Sequence, residues 1–528
     1  KDLSELAPTL SEVELRAEKK KRLIGLFLGP GLFLLMLIAP PLRHVTDVGM
    51  RTLGVFLWTI SWWVTEAIPI PAASFFGMAM LVLCGIVTVE GAFNHWANWV
   101  NIFLIGGCII GHAMNRQGLT QRIAYWLIST PVASASPYAL LMVFAIAQLI
   151  LSSVLSHVVT TVVFVSIALG LVDTLKLPVG SRYSEALFLL IAWASAFGIL
   201  TPIGTPPNMI TIGFVRNSFD YRIGWASWFL VCLPVALVGV LAIYLVTKFV
   251  LRPEIPQWTA TPDMIRRELR EMGPMKRGEK IAGGALLAAL VLWSLPDTLP
   301  LFLTGQQAHP MSVWVRAHLD WSVTSILVAT SLFLIPVDWP NRKFVMTWDE
   351  AVKGIEWGTL ALIGSALALA SALASKQVGL GEFFAQSLGS MGESGQSQLL
   401  LVFGVVAFTI IAGSFISNVA TISMVGALIA AIAPAVGVNP IALLVAVGVA
   451  SSMDFSLPVG NPPNAIVFAS GRVKVGTMVK GGVVLSFLCI FLITFVAFPL
   501  ANWMFPWPLD TASNAMSSPS MFPWIFPW

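Results

Sequence analysis

Four short polar clusters interrupt otherwise apolar stretches: Ser156-His157, Gly204-Thr205-Pro206-Pro207-Asn208, Ser417-Asn418 and Gly460-Asn461-Pro462-Pro463-Asn464. Each falls where an apolar helix should continue. Backbone polar groups left unpaired in hydrocarbon cost several kcal/mol apiece unless they line a cavity or find partners. The residue types suit ion binding. A helix restarting after Ser156 or Ser417, with that serine as its cap, turns first-turn N–H groups and the positive end of its dipole toward the interruption, which attracts anions. In the two Gly-x-Pro-Pro-Asn segments glycine permits a break, proline suits a helix start, and Thr205 or Asn461 offers a cap. The opposite half-helix ends expose carbonyls, which with Ser and Asn oxygens make hard-cation sites. An anion site flanked by two sodium sites is therefore expected. One Ser or Asn at a helix break is as often an ordinary cap, but four motifs in symmetric positions weigh against that.

Other chemistries fit less well. Gly-x-Pro-Pro-Asn lacks the lysine of a phosphate loop, and no coherent nucleophile, base or metal set supports an intramembrane enzyme. His157 is the one titratable group at an interruption; neutral, it exchanges hydrogen bonds, and charged, it holds an anion or replaces a cation, with a packed histidine as the plain alternative. Asp454 precedes the second Gly-x-Pro-Pro-Asn inside an apolar run, where an acid either serves a cation or pairs locally. Glu66 reads as interfacial, and His112 and Glu185, which adjoin no break, as structural.

The elements that must position these clusters are membrane helices. The chain has 528 residues, 57% hydrophobic and 11% charged, with mean hydropathy +0.84, against roughly 25% charged in soluble domains. Runs of roughly 20 apolar residues recur along it, and many of the 20 Trp sit near run ends, as interfacial anchors do. The expected fold is all-α integral membrane with about eleven transmembrane helices. Spans fall near 23–42, 50–68, 72–90, 99–117, 184–215 and 225–251, then 281–300, 321–337, 357–375, 441–469 and 480–504. The run 137–173, divided at Ser156-His157 into pieces too short to span comfortably, reads as an inward re-entrant hairpin; 398–434 reads as its outward mirror image. The basic stretches at Lys19–Arg22 and in 252–280 belong in the cytoplasm by the positive-inside rule.

That gives a cytoplasmic N-terminus and retained first span (1–48), a first repeat (49–251), a cytoplasmic basic linker (252–280), a second repeat (281–504) and an extracytoplasmic tail (505–528). The chain is expected to be a multi-pass protein of an inner or plasma membrane, in contact with the lipid bilayer. Its net charge of +4 suggests no nucleic-acid partner, and its 4 single Cys suggest no disulfide framework.

Signatures recur in one order in both halves. Leu104-Ile105-Gly106 returns as Leu362-Ile363-Gly364, Gly118-Leu119 as Gly379-Leu380, Ser156-His157-Val158-Val159-Thr160 as Ser417-Asn418-Val419-Ala420-Thr421, and Ile203-Gly204-Thr205-Pro206-Pro207-Asn208 as Val459-Gly460-Asn461-Pro462-Pro463-Asn464. With an odd number of crossings between equivalents, the repeats are inverted, each with a re-entrant hairpin and a broken helix.

Over nearly the whole chain these motifs resemble the divalent anion:sodium symporter family of di- and tricarboxylate and sulfate carriers. Its members carry two Ser-Asn-Thr hairpin tips, matched here by Ser156-His157-Val158 and Ser417-Asn418-Val419. The resemblance implies a homodimer in which a transport domain moves like an elevator against a fixed scaffold. It implies one sodium (Na+) site from Ser152, Ser156, His157 and backbone near Gly204, and another from Ser417, Asn418 and backbone near Gly460. It places a small anionic substrate between the tips, against Ser156, His157, Ser417 and Asn418, with Thr160, Thr205, Thr421 and Pro462 nearby.

Three tip residues depart from the family pattern. Val158 and Val419 lack the threonine hydroxyls, His157 replaces an asparagine, and Gly413 stands where a second-site serine would match Ser152. The expected function is secondary active transport of a dicarboxylate such as succinate or malate, coupled to sodium. Anion exchange, proton coupling, one fewer sodium ion, and sulfate or phosphate as cargo remain open, as does a channel-like or receptor role on the same scaffold.

Overall fold

Helix starts follow the sequence punctuation. Pro137, Pro206, Pro440 and Pro462 each open a helix, where a missing N–H costs nothing. Ser136, Ser181 and Asn439 accept bonds from first-turn N–H groups. The structure, a computed structural model, describes residues 12–254, 261–303, 309–388 and 395–507. The tail beyond 507 and residues 255–260 of the basic linker lie outside the described residues.

The fold is helical apart from a two-stranded antiparallel ribbon, Pro336–Asp338 with Lys343–Phe344. Among the described residues, eight helices are long and apolar enough to cross a bilayer alone, and up to ten spans result if each of two bent pairs counts as one. Two expected spans differ in detail. The helix expected over 72–90 is Ile70–Leu83, stopped where Gly85 takes φ +65°, and a short helix Val89–Phe93 follows. The helix Trp357–Leu373 is preceded by Trp348–Gly354, bent from it by 56°.

Both hairpins are present. Pro137–Val154 and His157–Thr174 meet at Leu155 and Ser156, and Gly395–Phe415 and Asn418–Val436 meet at Ile416 and Ser417. Their arms are longer than the sequence reading implies: 18 residues in each arm of the first hairpin, about 27 Å. What marks them as re-entrant is where the tips end, since His157 and Asn418 are buried beside the breaks of the two long interrupted helices. Those helices are Arg182–Ala196 with Pro206–Phe219, and Pro440–Ser451 with Pro462–Ala469.

Packing between the halves is reciprocal, as an inverted repeat requires. Trp99–Arg116 lies on Trp321–Leu334, while Ile70–Leu83 lies on Trp357–Leu373. Arg182–Ala196 packs on Pro462–Ala469, and Pro206–Phe219 on Pro440–Ser451; each hairpin's second arm also meets the other repeat's post-break helix. One relation is unequal. Asn418–Val436 packs closely along Trp357–Leu373, whereas a cavity separates the first hairpin's tip from Trp99–Arg116.

Candidate functional site

The four expected caps occupy N-cap positions, but none caps its helix with its side chain. Ser156, Thr205, Ser417 and Asn461 make no side-chain bond to a first-turn N–H. This corrects the sequence expectation, and the physical reason is visible at two of the four. Asn461 Oδ1 faces Asn418 Nδ2 at 3.5 Å, and Thr205 Oγ1 lies 3.3 Å from Ser452 Oγ. Asn461 turns toward the hairpin tip of its own repeat and Thr205 toward the other repeat, rather than back along their own helices.

The asparagines ending the Gly-x-Pro-Pro-Asn motifs have a role the sequence reading missed. Asn208 Nδ2 donates to Thr201 O at 2.9 Å and Ile199 O at 3.4 Å. Asn464 Nδ2 donates to Asp454 O at 2.8 Å and Leu457 O at 3.0 Å. Each amide latches the loop of its own break; at the first break the same carbonyls also accept from Gly204 N at 3.2 Å and Trp228 Nε1 at 2.9 Å. The recurrence of Asn in both motifs was the available signal.

The first break is closely built. A β-carbon on Gly204 would lie 1.9 Å from Gly198 O and 3.1 Å from Ser152 O. Ser152, buried, donates to Leu149 O at 3.2 Å. Thr201 Oγ1 donates to Ser153 O, tying the break to the hairpin. Thr160 sits one turn behind the tip with its hydroxyl among Ser156 O, His157 O and Gln148 Nε2, and Thr421 Oγ1 donates to Ser417 O at 3.1 Å. Both threonines are fully buried; they brace the tips rather than present open hydroxyls.

His157 is buried, adjoins the Gly204 backbone and the Asn461 side chain, and completes a hydrogen bond with neither ring nitrogen. Asn418 N donates to Gly460 O at 3.3 Å. Asn461 therefore stands between the two tips, with His157 of the first on one side and Asn418 of the second on the other. Buried polar atoms without partners are rare in folded proteins and mark places where a ligand supplies the missing bonds.

A cavity of about 90 Å³ opens at the first tip, with Ser156, His157, Gly204 and Pro206 on one wall and Gly107, Gly111 and His112 on the other. His112, read from sequence as structural, thus faces the cavity. Glu185 accepts from Thr477 Oγ1 at 2.9 Å, and Glu66 pairs with Arg22 at 3.5 Å. Ser417, Asn418 and Pro462 do not line this cavity; Pro462 is exposed on the face of the second break, next to exposed Val459.

Residues 20–507 match the family model described as "Sodium:sulfate symporter transmembrane region". The chain belongs to this family. Among curated members, a protein named sodium-dependent dicarboxylate transporter SdcS from Staphylococcus saprophyticus is 30% identical over 90% of this chain and 91% of its own. The protein of that name from Staphylococcus aureus is 30% identical over 92% and 94%. A solved structure, the YdaH transporter of Alcanivorax borkumensis, aligns at 16% identity over 82% of this chain and 90% of that one, with TM-score 0.49. As a member of the symporter family, the chain is a multi-pass membrane transporter, and its inverted repeats, hairpins and breaks form the family's transmembrane region.

Proposed function

We propose that this chain carries a small dicarboxylate such as succinate or malate across a cell membrane, coupled to sodium entry, by alternating access. The observation that carries the reading is the first tip. A helix N-terminus whose serine leaves its N–H groups uncapped faces a cavity beside a buried histidine with two unpartnered nitrogens, an arrangement suited to a carboxylate. The names of the Staphylococcus relatives support the same substrate class and ion.

Sodium binds at the breaks, one ion among Ser152, Ser156, His157 and Gly204, another among Ser417, Asn418 and Gly460. The substrate bridges Ser156 and His157 to Ser417 and Asn418, with Thr160, Thr205, Thr421 and Pro462 around it. The N-terminus and basic linker are cytoplasmic, so the cavity beside His112 opens inward. Hairpins and broken helices move together, elevator-like, against a scaffold through which two copies pair.

His157 favours a second reading. A histidine in place of an asparagine at the first tip weakens that cation site, which fits an exchanger working without net ion flux. Uptake of radiolabelled succinate, then sulfate, into proteoliposomes decides. Sodium-driven uptake into empty vesicles supports the symporter; uptake only against internal anion supports the exchanger; uptake of neither anion ends the substrate assignment.

A further inference from the structure

The two breaks are built from the same parts with one exchange. In the first repeat the hairpin arm brings Ser152 to the break, and the facing position is Gly198, where a β-carbon would lie 2.4 Å from Ser152 Oγ. In the second repeat the hairpin position is Gly413 and the facing position is Asp454; a β-carbon on Gly413 would stand 3.8 Å from Asp454 Cβ, an ordinary contact. Gly198 and Asp454 hold the same place relative to Gly204 and Gly460, as Ser152 and Gly413 do relative to Ser156 and Ser417. A side-chain oxygen thus enters both breaks, from the hairpin in one and from the broken helix in the other.

Asp454 is 1% exposed, and neither carboxylate oxygen has a hydrogen-bond partner. Its Oδ2 and Gly413 O converge on the α-carbon face of Gly460, where a β-carbon would meet them at 2.8 and 2.6 Å. Ser451 O and Thr421 Oγ1 lie 3.8 and 4.0 Å from where a Gly413 β-carbon would be. The Asn461 side chain adjoins the carboxylate. Among the described residues, none of the ion pairs includes Asp454. A lone carboxylate inside a membrane protein is costly and takes up a proton or a cation, and a set made only of oxygens suits a hard cation.

We infer that Asp454 is a direct ligand of a sodium ion at the second break, together with the Gly413 carbonyl. This rests on the sodium-coupled reading above. The consequence is a difference between the two ion sites. The second carries its own negative charge and holds sodium before any anion arrives. The first offers neutral oxygens beside His157 and fills only with the anion present.

The test is thermal unfolding of the purified full-length protein against sodium chloride, at constant ionic strength in choline chloride and without dicarboxylate. Wild type is expected to be stabilised by sodium, and Asp454→Asn to raise the half-saturating sodium concentration at least tenfold. Should Asp454→Asn not fold, Asp454→Gly is compared with Gly413→Ser/Asp454→Gly, which rebuilds the first repeat's arrangement; the pair should regain sodium stabilisation that the single variant lacks. Unchanged sodium dependence in Asp454→Asn, or a wild-type response in Asp454→Gly, overturns the ligand role while leaving sodium-driven uptake intact. No sodium stabilisation of wild type overturns it together with sodium coupling.

Discussion

The side-chain amide of Asn418 reaches Asn461 Oδ1 at 3.5 Å, and its backbone N–H reaches Gly460 O at 3.3 Å. The second tip is thus tied to the second break mainly through its backbone, because the side-chain contact is at the outer limit of a hydrogen bond. Asn418→Ala should therefore cost at most about 1 kcal/mol of stability while cutting succinate uptake below a tenth of wild type. Full transport in that variant, measured in proteoliposomes, removes Asn418 from the site.

Asn208 and Asn464 make the same latch in inverted positions, but the carbonyls of the first have second donors: Gly204 N reaches Thr201 O at 3.2 Å and Trp228 Nε1 reaches Ile199 O at 2.9 Å. Asn464→Ala strands the Asp454 and Leu457 carbonyls, at a cost of about 1–3 kcal/mol, whereas Asn208→Ala removes two bonds without stranding either carbonyl and should cost less. Asp in their place keeps the size but loses the donor, and should be no better. Melting temperatures and uptake should fall in both, further for Asn464→Ala; a larger loss at Asn208 than at Asn464 would contradict this difference.

Glycine at the first break is required by close approach. Gly204→Ala would put a methyl group 1.9 Å from Gly198 O, a backbone atom that cannot swing away. Uptake should be lost and the protein markedly destabilised. Gly111, across the cavity, has no atom within 4 Å of its would-be β-carbon; Gly111→Ala should transport normally, whereas Gly111→Trp should fill the cavity and block uptake. Parallel uptake and melting measurements on the three variants separate a break defect from a blocked path.

Much of this was legible because membrane helices advertise themselves. Apolar runs located the hairpins almost to the residue, and paired motifs such as Ile203-Gly204-Thr205 with Val459-Gly460-Asn461 located both breaks. Side-chain direction was not legible. A serine before a helix reads as a cap, and whether Ser156 turns to its own N–H groups or to a cavity depends on neighbours distant in the chain. His112 was missed for the same reason: it adjoins no break in sequence and meets the cavity only because Trp99–Arg116 stands across from the first tip. The Pro336–Phe344 ribbon was missed because strands of two or three residues leave no periodic pattern.

Arg122 offers a test of what joins the halves. It lies on Leu119–Ile128 and forks onto Glu279, in the first turn of Arg277–Phe302, with Nε and Nη2, the latter at 3.2 Å. Its guanidinium also donates to Gly273 O at 2.8 Å and Met272 O at 3.2 Å, at the end of the linker helix Thr261–Glu271. One side chain thus clips the first repeat to the linker and to the start of the second. The Glu279 side chain is only 3% exposed. Arg122→Ala leaves it buried without its charge partner, which should cost about 3–5 kcal/mol. Arg122→Lys should recover only part of that, since an ammonium cannot reproduce the fork. Replacing both partners with apolar residues of similar size should cost less than Arg122→Ala alone, because no buried charge is then left unpaired. Thermal unfolding of the three variants in one detergent checks the order, and a double variant less stable than Arg122→Ala would mean that the pair holds the linker by more than its mutual charge.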